Sequence, residues 1–230
     1  MSSSALASVF ARTSAILLDF DGPVCSVFSA FSPAAVAREL RARLDFVDLP
    51  VTNEPFEILY HVAQFKPLAA TRAEAELAEL ETTAVRKAEA TPGADTVLRH
   101  FKESGRRVVV VSNNSAAAVR AYLAQHDLDQ YVTGIASRVD PNPALLKPHP
   151  HLLLDGAKIL GLDIRQCLML GDSATDIEAA RSATAPVVAY ANKPGKRERF
   201  EQLGPDAIVD DMTELLEVDG RSMSVVNAPH

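Results

Sequence analysis

The alternation of strand-like and helix-like segments over residues 92–217 constrains the fold more than any other feature. Apolar segments of strand length are separated there by segments with a helical pattern. Such alternation is typical of βαβ units, whose sheet is parallel and binds ligands at the carboxyl ends of its strands. We therefore predict an α/β fold, a Rossmann-like three-layer parallel sheet. The predicted strands are residues 107–112, 132–137, 167–170, 187–190 and 207–209, and the predicted helices are 92–104, 115–126, 150–160, 175–182, 196–203 and a short one ending at 217.

One further strand is predicted far upstream, at residues 15–20, where a continuous apolar segment ends in an acid. Continuous apolar character is typical of a strand buried on both faces. An all-helical block separates this strand from the others, so we interpret the block as an insertion. Its predicted helices are 32–43, 54–65 and 71–90, the last opened by a capping box from Thr71 to Glu74. The predicted domains are residues 1–23 and 92–218 as the core, 24–91 as a helical insert, and 219–230 as a flexible C-terminal tail.

Composition excludes several classes of protein. The chain of 230 residues is 47% apolar and 23% charged, as globular proteins are, and it has no 18-residue apolar stretch that would span a membrane. A net charge of −7 without a basic cluster argues against a nucleic-acid partner. Two cysteines cannot build a disulfide framework, and the N-terminal segment lacks the basic region of a signal peptide. We expect a cytoplasmic protein, either a monomer or a homodimer.

Polar residues that can carry chemistry follow three of the predicted strands. Because the carboxyl ends of parallel strands meet at one edge of a sheet, we expect these side chains to converge. Each also has a purely local interpretation, as part of a turn, a helix N-cap or a solvated surface. The set consists of Asp19 and Asp21 at the carboxyl end of the first strand, Ser112 and Asn113 at the end of the second, Asp172 and Asp176 after residues 167–170, and Lys147 from a loop.

The charge of this set predicts a metal. Four carboxylates beside one ammonium group in a crevice repel one another unless a cation is bound. Oxygen ligands suit Mg²⁺, and no spacing of His or Cys residues suggests zinc. A cation beside a lysine, a hydroxyl and strand-end amides is an environment that suits a phosphoryl group. A carboxylate there can act as a covalent nucleophile, with a second acid as the general acid and base.

Four short segments carry a resemblance to a known family. Asp19-Phe-Asp-Gly, Ser112-Asn, Lys147-Pro and Gly171-Asp-Ser-Ala-Thr-Asp resemble, in this order, the four motifs of the haloacid dehalogenase (HAD) superfamily. The fourth is the most specific, and the resemblance covers residues 15–212. It points to phosphatase-like members with a helical C1 cap, of the phosphoglycolate phosphatase and beta-phosphoglucomutase type. The helical insert lies where those members carry that cap.

The resemblance implies a role for each residue of the set. Asp19 would be the nucleophile, and Asp21 would protonate the leaving oxygen and then activate water. Mg²⁺ would be bound by the Asp19 carboxylate, the Asp21 backbone carbonyl and Asp172. Ser112, the Asn113 amide and Lys147 would bind phosphate, and Asp176 would orient Lys147 or the waters on the metal.

The sequence therefore predicts a Mg²⁺-dependent phosphohydrolase that acts on a small phosphorylated metabolite through an aspartyl-phosphate. Asp21 argues against a dehalogenase, because a carbon ester needs no protonated leaving oxygen. A phosphomutase on the same scaffold remains an alternative, as does a non-catalytic or phosphoacceptor signalling module. The substrate is open, because a fold does not define specificity. Insert residues considered for substrate contact are Phe28, Tyr60, His61, Gln64, Lys66 and Arg72, with a structural role favoured for Tyr60 and His61.

The two cysteines are expected to stay unbridged. Cys25 follows the carboxyl end of the first strand, whereas Cys167 begins a strand at the opposite edge of the sheet. Their separation exceeds the roughly 7 Å between Cα atoms that a disulfide tolerates. Cys25 lies on the segment that joins core to insert, so we expect it to be alkylated faster than Cys167.

Overall fold

The structure is a computed structural model that describes residues 3–218, so the predicted tail at 219–230 lies outside the described residues. In chain order the strands are β1 (Ala15–Leu18), β2 (Cys25–Ser26), β3 (Glu89–Ala90), β4 (Arg107–Ser115), β5 (Gly134–Arg138), β6 (Cys167–Gly171), β7 (Val187–Tyr190) and β8 (Ala207–Val209). The helices are α1 (Ser3–Arg12), α2 (Pro33–Leu44), α3 (Pro55–Phe65), α4 (Ala70–Val85), α5 (Ala94–Glu103), α6 (Ala116–Gln125), α7 (His151–Leu160), α8 (Ala174–Ala183), α9 (Lys196–Leu203) and α10 (Glu214–Val218). Among residues 3–218 no helix is long and apolar enough to cross a membrane.

Six strands form one parallel sheet in the order β5-β4-β1-β6-β7-β8, which confirms the predicted α/β fold. The first strand of the chain lies inside the sheet, as its continuous apolar character predicted. Leu18, at the end of β1, is level with Val110 on one neighbour and Leu170 on the other. The residues that follow these three strands therefore meet at one edge of the sheet.

Helices cover both faces of the sheet. Ile16 and Leu18 of β1 point into an apolar cluster that also contains side chains from α1, α5, α6 and α10. Leu17, between them, points into the opposite cluster, which is built with α7, α8 and α9. Successive side chains of a strand alternate between faces, so β1 needs apolar residues at every position. The result is the three-layer arrangement that the sequence predicted.

Helix α1 is an element that the sequence interpretation missed. Its buried side chains, Val9 and Phe10 among them, join the same cluster as Ile16, and the helix contacts α10 and β8. The buried Arg106 guanidinium donates to the backbone carbonyls of Phe10 and Thr13 just where α1 ends. The helix is stabilised by contacts with residues far along the chain, so its local Ser- and Ala-rich sequence indicated little.

The helical insert has an apolar cluster of its own, to which α2, α3 and α4 each contribute. Leu40, Ile58 and Leu77 are completely buried in it. Helix α2 begins as predicted, with Pro33 in its first turn and the Ser32 hydroxyl accepting a hydrogen bond from the Ala35 amide at 3.2 Å. The proposed domain boundaries at residues 24 and 91 stay a prediction.

The predicted start and end of the third insert helix are wrong. Helix α4 begins at Ala70 without a side-chain cap and ends at Val85, not near residue 90. The expected capping residue Glu74 instead forms an ion pair with Arg138 at 3.1 Å. The Glu74 carboxylate, which the local sequence pattern predicted to cap the helix, is thus engaged in an ion pair with a residue far along the chain.

Both ends of the insert lie side by side, paired as the antiparallel strands β2 and β3. Cys25 is level with Ala90, and the Thr91 amide donates to the Val24 carbonyl at 3.1 Å. The pairing buries Cys25 completely within the core cluster, so the expected accessibility of its thiol is wrong. Strands of two residues carry no periodic signal, which is why neither was predicted.

We expect both thiols to resist alkylation in the folded protein. Cys25 and Cys167 are free and completely buried, and burial raises the pKa of Cys167 to about 11 and that of Cys25 above its ordinary range. Thiolate is the reactive form, so both should react with iodoacetamide far more slowly than a free thiol. Peptide mapping after native and denaturing incubations measures both rates. Rapid native labelling of Cys25 would show that β2 is displaced from the core.

Candidate active site

Asp19 lies at the end of β1, with its backbone amide donating to the Leu170 carbonyl of β6 at 2.8 Å. The side chain is buried, and its Oδ1 accepts hydrogen bonds from Lys147 Nζ and the Phe20 amide, each at 2.7 Å. Its Oδ2 accepts no hydrogen bond from residues 3–218. One carboxylate oxygen is therefore held in place while the other stays available to a ligand.

Lys147 reaches the same point from the loop before α7. Its Nζ donates to Asp19 Oδ1 at 2.7 Å, to Asp176 Oδ1 at 2.6 Å and to the Val111 carbonyl at 3.2 Å. Burial alone would lower the pKa of Lys147, but Asp176 and Asp19 raise it above its ordinary value, so the ammonium group stays charged. The Asn113 side chain forms two hydrogen bonds with the Lys147 backbone. Its Oδ1 accepts from the Lys147 amide at 2.8 Å, and its Nδ2 donates to the Lys147 carbonyl at 3.1 Å.

Asp176 serves two partners at once. Its Oδ2 accepts from the Ser173 amide at 3.0 Å and from the Ser173 hydroxyl, which completes a capping box at the start of α8. Its Oδ1 accepts from Lys147. Ser173, not Asp176, is the N-cap of α8, so the local interpretation of Asp176 as an N-cap is wrong. Its contact with Lys147 fits the role that the resemblance implied, which stays a prediction.

Asp172 follows β6, and its Oδ2 accepts hydrogen bonds from Lys196 Nζ at 2.6 Å and Asn192 Nδ2 at 2.9 Å. Lys196 also donates to the Asp172 backbone carbonyl at 2.7 Å. Sequence reasoning missed both partners. They follow β7, another parallel strand, so extending the strand-end argument to residues 191–196 could have found them.

Three of the carboxylates form a group that could hold a metal ion. One oxygen each from Asp19, Asp172 and Asp176 lies within 4.8 Å of the others. Protein donors engage both oxygens of Asp176, which leaves Asp19 Oδ2 and Asp172 Oδ1 as the oxygens without a hydrogen-bond donor among residues 3–218. A donor set made only of oxygens fits a hard divalent cation such as Mg²⁺. The Asp21 carboxylate is outside this group; the sequence prediction used its backbone carbonyl.

The electrostatics of the group favour a bound cation. Burial raises the pKa of Asp19 well above its ordinary value, Asp176 and Asp172 add to the increase, and Lys147 opposes it. A cation between Asp19 and Asp172 would lower that pKa and keep the carboxylate ionised. Lys196 corrects the predicted charge, because two ammonium groups, not one, neighbour the four acids.

Asp21 is half-buried two residues beyond Asp19, and its Oδ1 accepts from the Val27 amide at 2.9 Å. Burial raises the pKa of Asp21 to about 6, against the opposing effect of that hydrogen bond. A carboxyl group that titrates near neutral pH suits general acid–base chemistry. The following Gly22 has φ +108°, and a Cβ there would lie 2.2 Å from Asp172 Cγ, so only glycine permits this close approach.

A cavity of about 350 Å³ opens beside Asp21 and Asp172, with Lys193 at its wall. Of the insert residues considered for substrate contact, Phe28 lines this cavity. Tyr60 instead lines a larger, separate groove of about 690 Å³, and the His61 ring packs 4.8 Å from that of Phe65. The ring contact supports the structural interpretation for His61, whereas Tyr60 is exposed and lies away from the cavity beside Asp21.

Ser112 lies buried in β4, which continues to Ser115. Its hydroxyl donates to Asn114 Oδ1 at 3.2 Å and accepts from the Asn114 amide at 3.1 Å. Because β4 neighbours β1, Ser112 and Asn113 share the edge on which Asp19 lies. The structure thus brings all seven predicted residues to this edge, together with Lys196, Asn192 and Asn114, which were not predicted.

Comparison with known proteins assigns the family. The profile of haloacid dehalogenase-like hydrolases matches residues 13–184. The chain belongs to this family. A phosphoglycolate phosphatase from Cupriavidus necator is 33% identical to this HAD-like hydrolase over 128 residues, which are 54% of this chain and 53% of the relative. One from Nitrosococcus oceani is 33% identical over 126 residues, 54% of each chain.

The chain spans about half the length of these relatives. A structure of CbbY from Rhodobacter sphaeroides in complex with phosphate superposes with a TM-score of 0.68 at 19% identity, covering 88% of this chain and 96% of that one. The superposition shows a shared fold.

Replacing Lys147 should destabilise the HAD-like hydrolase at neutral pH. Lys147→Gln leaves Asp19 and Asp176 buried without their cation, which costs about 3–5 kcal/mol in comparable cases. Their pKa values in the folded variant would rise above the unfolded values, so the folded state binds more protons and gains stability as pH falls. Urea unfolding followed by circular dichroism at pH 8 and pH 5 should show a defect that shrinks at the lower pH. Exposed Lys158→Gln is the matched control.

Proposed function

We propose that this HAD-like hydrolase is a Mg²⁺-dependent phosphoric monoester hydrolase that acts on a small phosphorylated metabolite. The observation that carries the proposal is the placement of Asp19. Its buried carboxylate is held at one oxygen by Lys147, faces Asp172 within the carboxylate group, and lies two residues from an acid with a pKa of about 6. This arrangement combines a nucleophile, a fixed positive charge and a proton donor.

In the proposed reaction a carboxylate oxygen of Asp19 attacks phosphorus, and the bond to the ester oxygen breaks. Asp21 in its protonated form donates a proton to the departing oxygen, and the phosphoryl group stays on Asp19 as an aspartyl-phosphate. Asp21, now ionised, takes a proton from a water molecule that attacks the same phosphorus. Inorganic phosphate leaves, and both carboxyl groups return to their starting states.

The other residues bind and orient the phosphoryl group. Lys147, Ser112 and the backbone amide of Asn113 would contact its oxygens, and Asp176 would hold Lys147 in place. Mg²⁺, bound by Asp19, the Asp21 backbone carbonyl and Asp172, would offset the repulsion between the carboxylates and the phosphate oxygens. Asn113 adds a second function, because its side chain clamps the Lys147 backbone.

The cavity supports a small substrate. Its volume of about 350 Å³ is at the lower end of the roughly 300–1,000 Å³ of ligand pockets. Lys193 at its wall would favour an anionic or polar group beyond the phosphate. Relatives named phosphoglycolate phosphatase make that two-carbon compound the first candidate to assay.

The direct test is Mg²⁺-dependent release of inorganic phosphate from an aryl phosphate, followed by a panel of phosphorylated metabolites that includes phosphoglycolate. Product analysis with sugar phosphates separates a hydrolase, which releases phosphate, from a phosphomutase, which returns an isomer. The absence of phosphate release from the aryl ester and from every member of the panel would contradict the proposal.

Asp19→Asn should abolish turnover without weakening the fold. An amide cannot attack phosphorus, so we expect a loss larger than the ~10²–10⁴-fold typical of one acid–base group. Because Asp19 is costly to ionise where it lies, its neutral isostere should unfold at the same or a higher temperature. Thermal unfolding and phosphate release are measured together, with exposed Asp129→Asn as the control. Turnover near that of the control would exclude Asp19 as the nucleophile.

Metal removal should be reversible. EDTA is expected to stop turnover, and Mg²⁺ should restore it, because the donor set consists of oxygens. Asp172→Ala should raise the Mg²⁺ concentration for half-maximal activity by at least about tenfold, since one direct ligand is lost. Calorimetric titration of Mg²⁺ into the wild type, this variant and Asp129→Ala provides the measurement. Restoration by Zn²⁺ with Mg²⁺ inert would contradict the assignment.

A further inference from the structure

A buried acid from the helical insert reaches the strand end that carries Ser112. Glu81 of α4 is completely buried, and its carboxylate accepts from the Ser115 amide at 2.8 Å and from Asn114 Nδ2 at 3.1 Å. These two residues form the junction between β4 and α6. The proposed reaction uses neither Glu81 nor Asn114.

Arg138, at the end of β5, neutralises this acid. Its Nη2 lies 2.5 Å from Glu81 Oε2, and its Nη1 lies 3.1 Å from Oε2 of Glu74, which precedes Glu81 by about two turns of α4. The guanidinium group also lies over the Phe56 ring of α3, 5.5 Å from its centroid. Two acids of the insert thus enclose an arginine of the sheet.

Stability alone does not account for this arrangement. Desolvating a buried ion pair costs about as much as the attraction returns, and apolar side chains of the same volume often stabilise a protein more. What the carboxylate does supply is orientation, because an ionised carboxylate can only accept hydrogen bonds. The Asn114 amide must therefore turn its Nδ2 toward Glu81, which directs its Oδ1 toward the Ser112 hydroxyl.

The hydroxyl of Ser112 is then held from two sides. It accepts from the Asn114 backbone amide and donates to Asn114 Oδ1. Without the charge on Glu81 the Asn114 side chain could turn over, and its Nδ2 would compete for the same hydroxyl. The position of Ser112 thus depends on an acid that the insert brings to the core.

We propose that Glu81 is a positioning residue that prepares the phosphate-binding end of β4 when helix α4 of the insert is docked on the core. Arg138 holds its carboxylate in place. The inference rests on the proposed function in one respect, that Ser112 binds the phosphate. It adds that phosphate binding and docking of α4 are linked, so each strengthens the other.

Glu81→Gln tests this with little change in shape, and Glu79→Gln on the same helix is the matched control because Glu79 is exposed. We expect the dissociation constant for inorganic phosphate in the presence of Mg²⁺, measured by calorimetry, to rise about tenfold in Glu81→Gln only, as for one charged hydrogen bond. KM for an aryl phosphate should rise similarly. Amide hydrogen exchange should be faster at residues 112–118, and phosphate should no longer slow exchange in α4.

A second variant separates orientation from stability, in case a neutral Gln opposite a buried arginine prevents folding. Glu81→Met with Arg138→Met removes both charges of this pair together. Glu74, the other partner of Arg138, then takes up a proton, because burial raises its pKa to about 7 even against the effect of Arg138, so we expect the variant to fold. It still cannot orient Asn114, so its phosphate affinity should be reduced as in Glu81→Gln.

The outcomes distinguish this inference from the proposed function. Wild-type phosphate affinity in folded Glu81→Gln, or in the double methionine variant, would overturn the positioning role and leave the phosphatase proposal intact. A wild-type protein that neither binds inorganic phosphate nor hydrolyses an aryl phosphate would overturn the proposed function itself. Weakened phosphate binding together with faster exchange at residues 112–118, absent from Glu79→Gln, supports the inference.

Discussion

The placement of the Lys147 ammonium group between Asp19 and Asp176 is the interaction on which the rest of the site depends. Each acid is buried and would be protonated or displaced without this cation. The contact joins three separate stretches of chain, the end of β1, the start of α8 and the loop before α7, at one edge of the sheet. Because Lys147 holds Asp19 Oδ1 and protein donors engage both oxygens of Asp176, Asp19 Oδ2 is left beside Asp172 as the oxygen that a divalent cation could bind.

The helical insert contacts this edge of the sheet at several points besides the two segments that join it covalently to the core. Its first residues hold Asp21 through the Val27 amide, and its ends pair as β2 and β3 beside Gly22. Its third helix brings Glu81 to the start of α6. Each contact places a backbone or side-chain group of the insert next to a residue that the proposed reaction uses, so the position of the insert and the geometry of the site are linked.

Much of the architecture was predictable because its signals are local. Continuous apolar strands, helix-start residues such as Ser32, and polar residues after each strand indicated the parallel sheet and its ligand edge. The errors share one physical cause, which is that long-range contacts decided the outcome. Glu74 pairs with Arg138 instead of capping α4, Cys25 is buried by pairing with Ala90, and α1 is stabilised by packing on α10 and β8.

The amino-acid sequence by itself determined which residue types stand at the strand ends, and hence that acids and one lysine would converge on a ligand edge. Only the tertiary structure decided their partners. Lys196 and Asn192 reach Asp172, Asn113 clamps Lys147, and Glu81 reaches Asn114 because separate strands and helices pack in one register. The spacing of residues along the chain predicts on which face of a strand or helix a side chain lies. A hydrogen bond requires two groups within about 3 Å of each other, and only the packed fold specifies that distance.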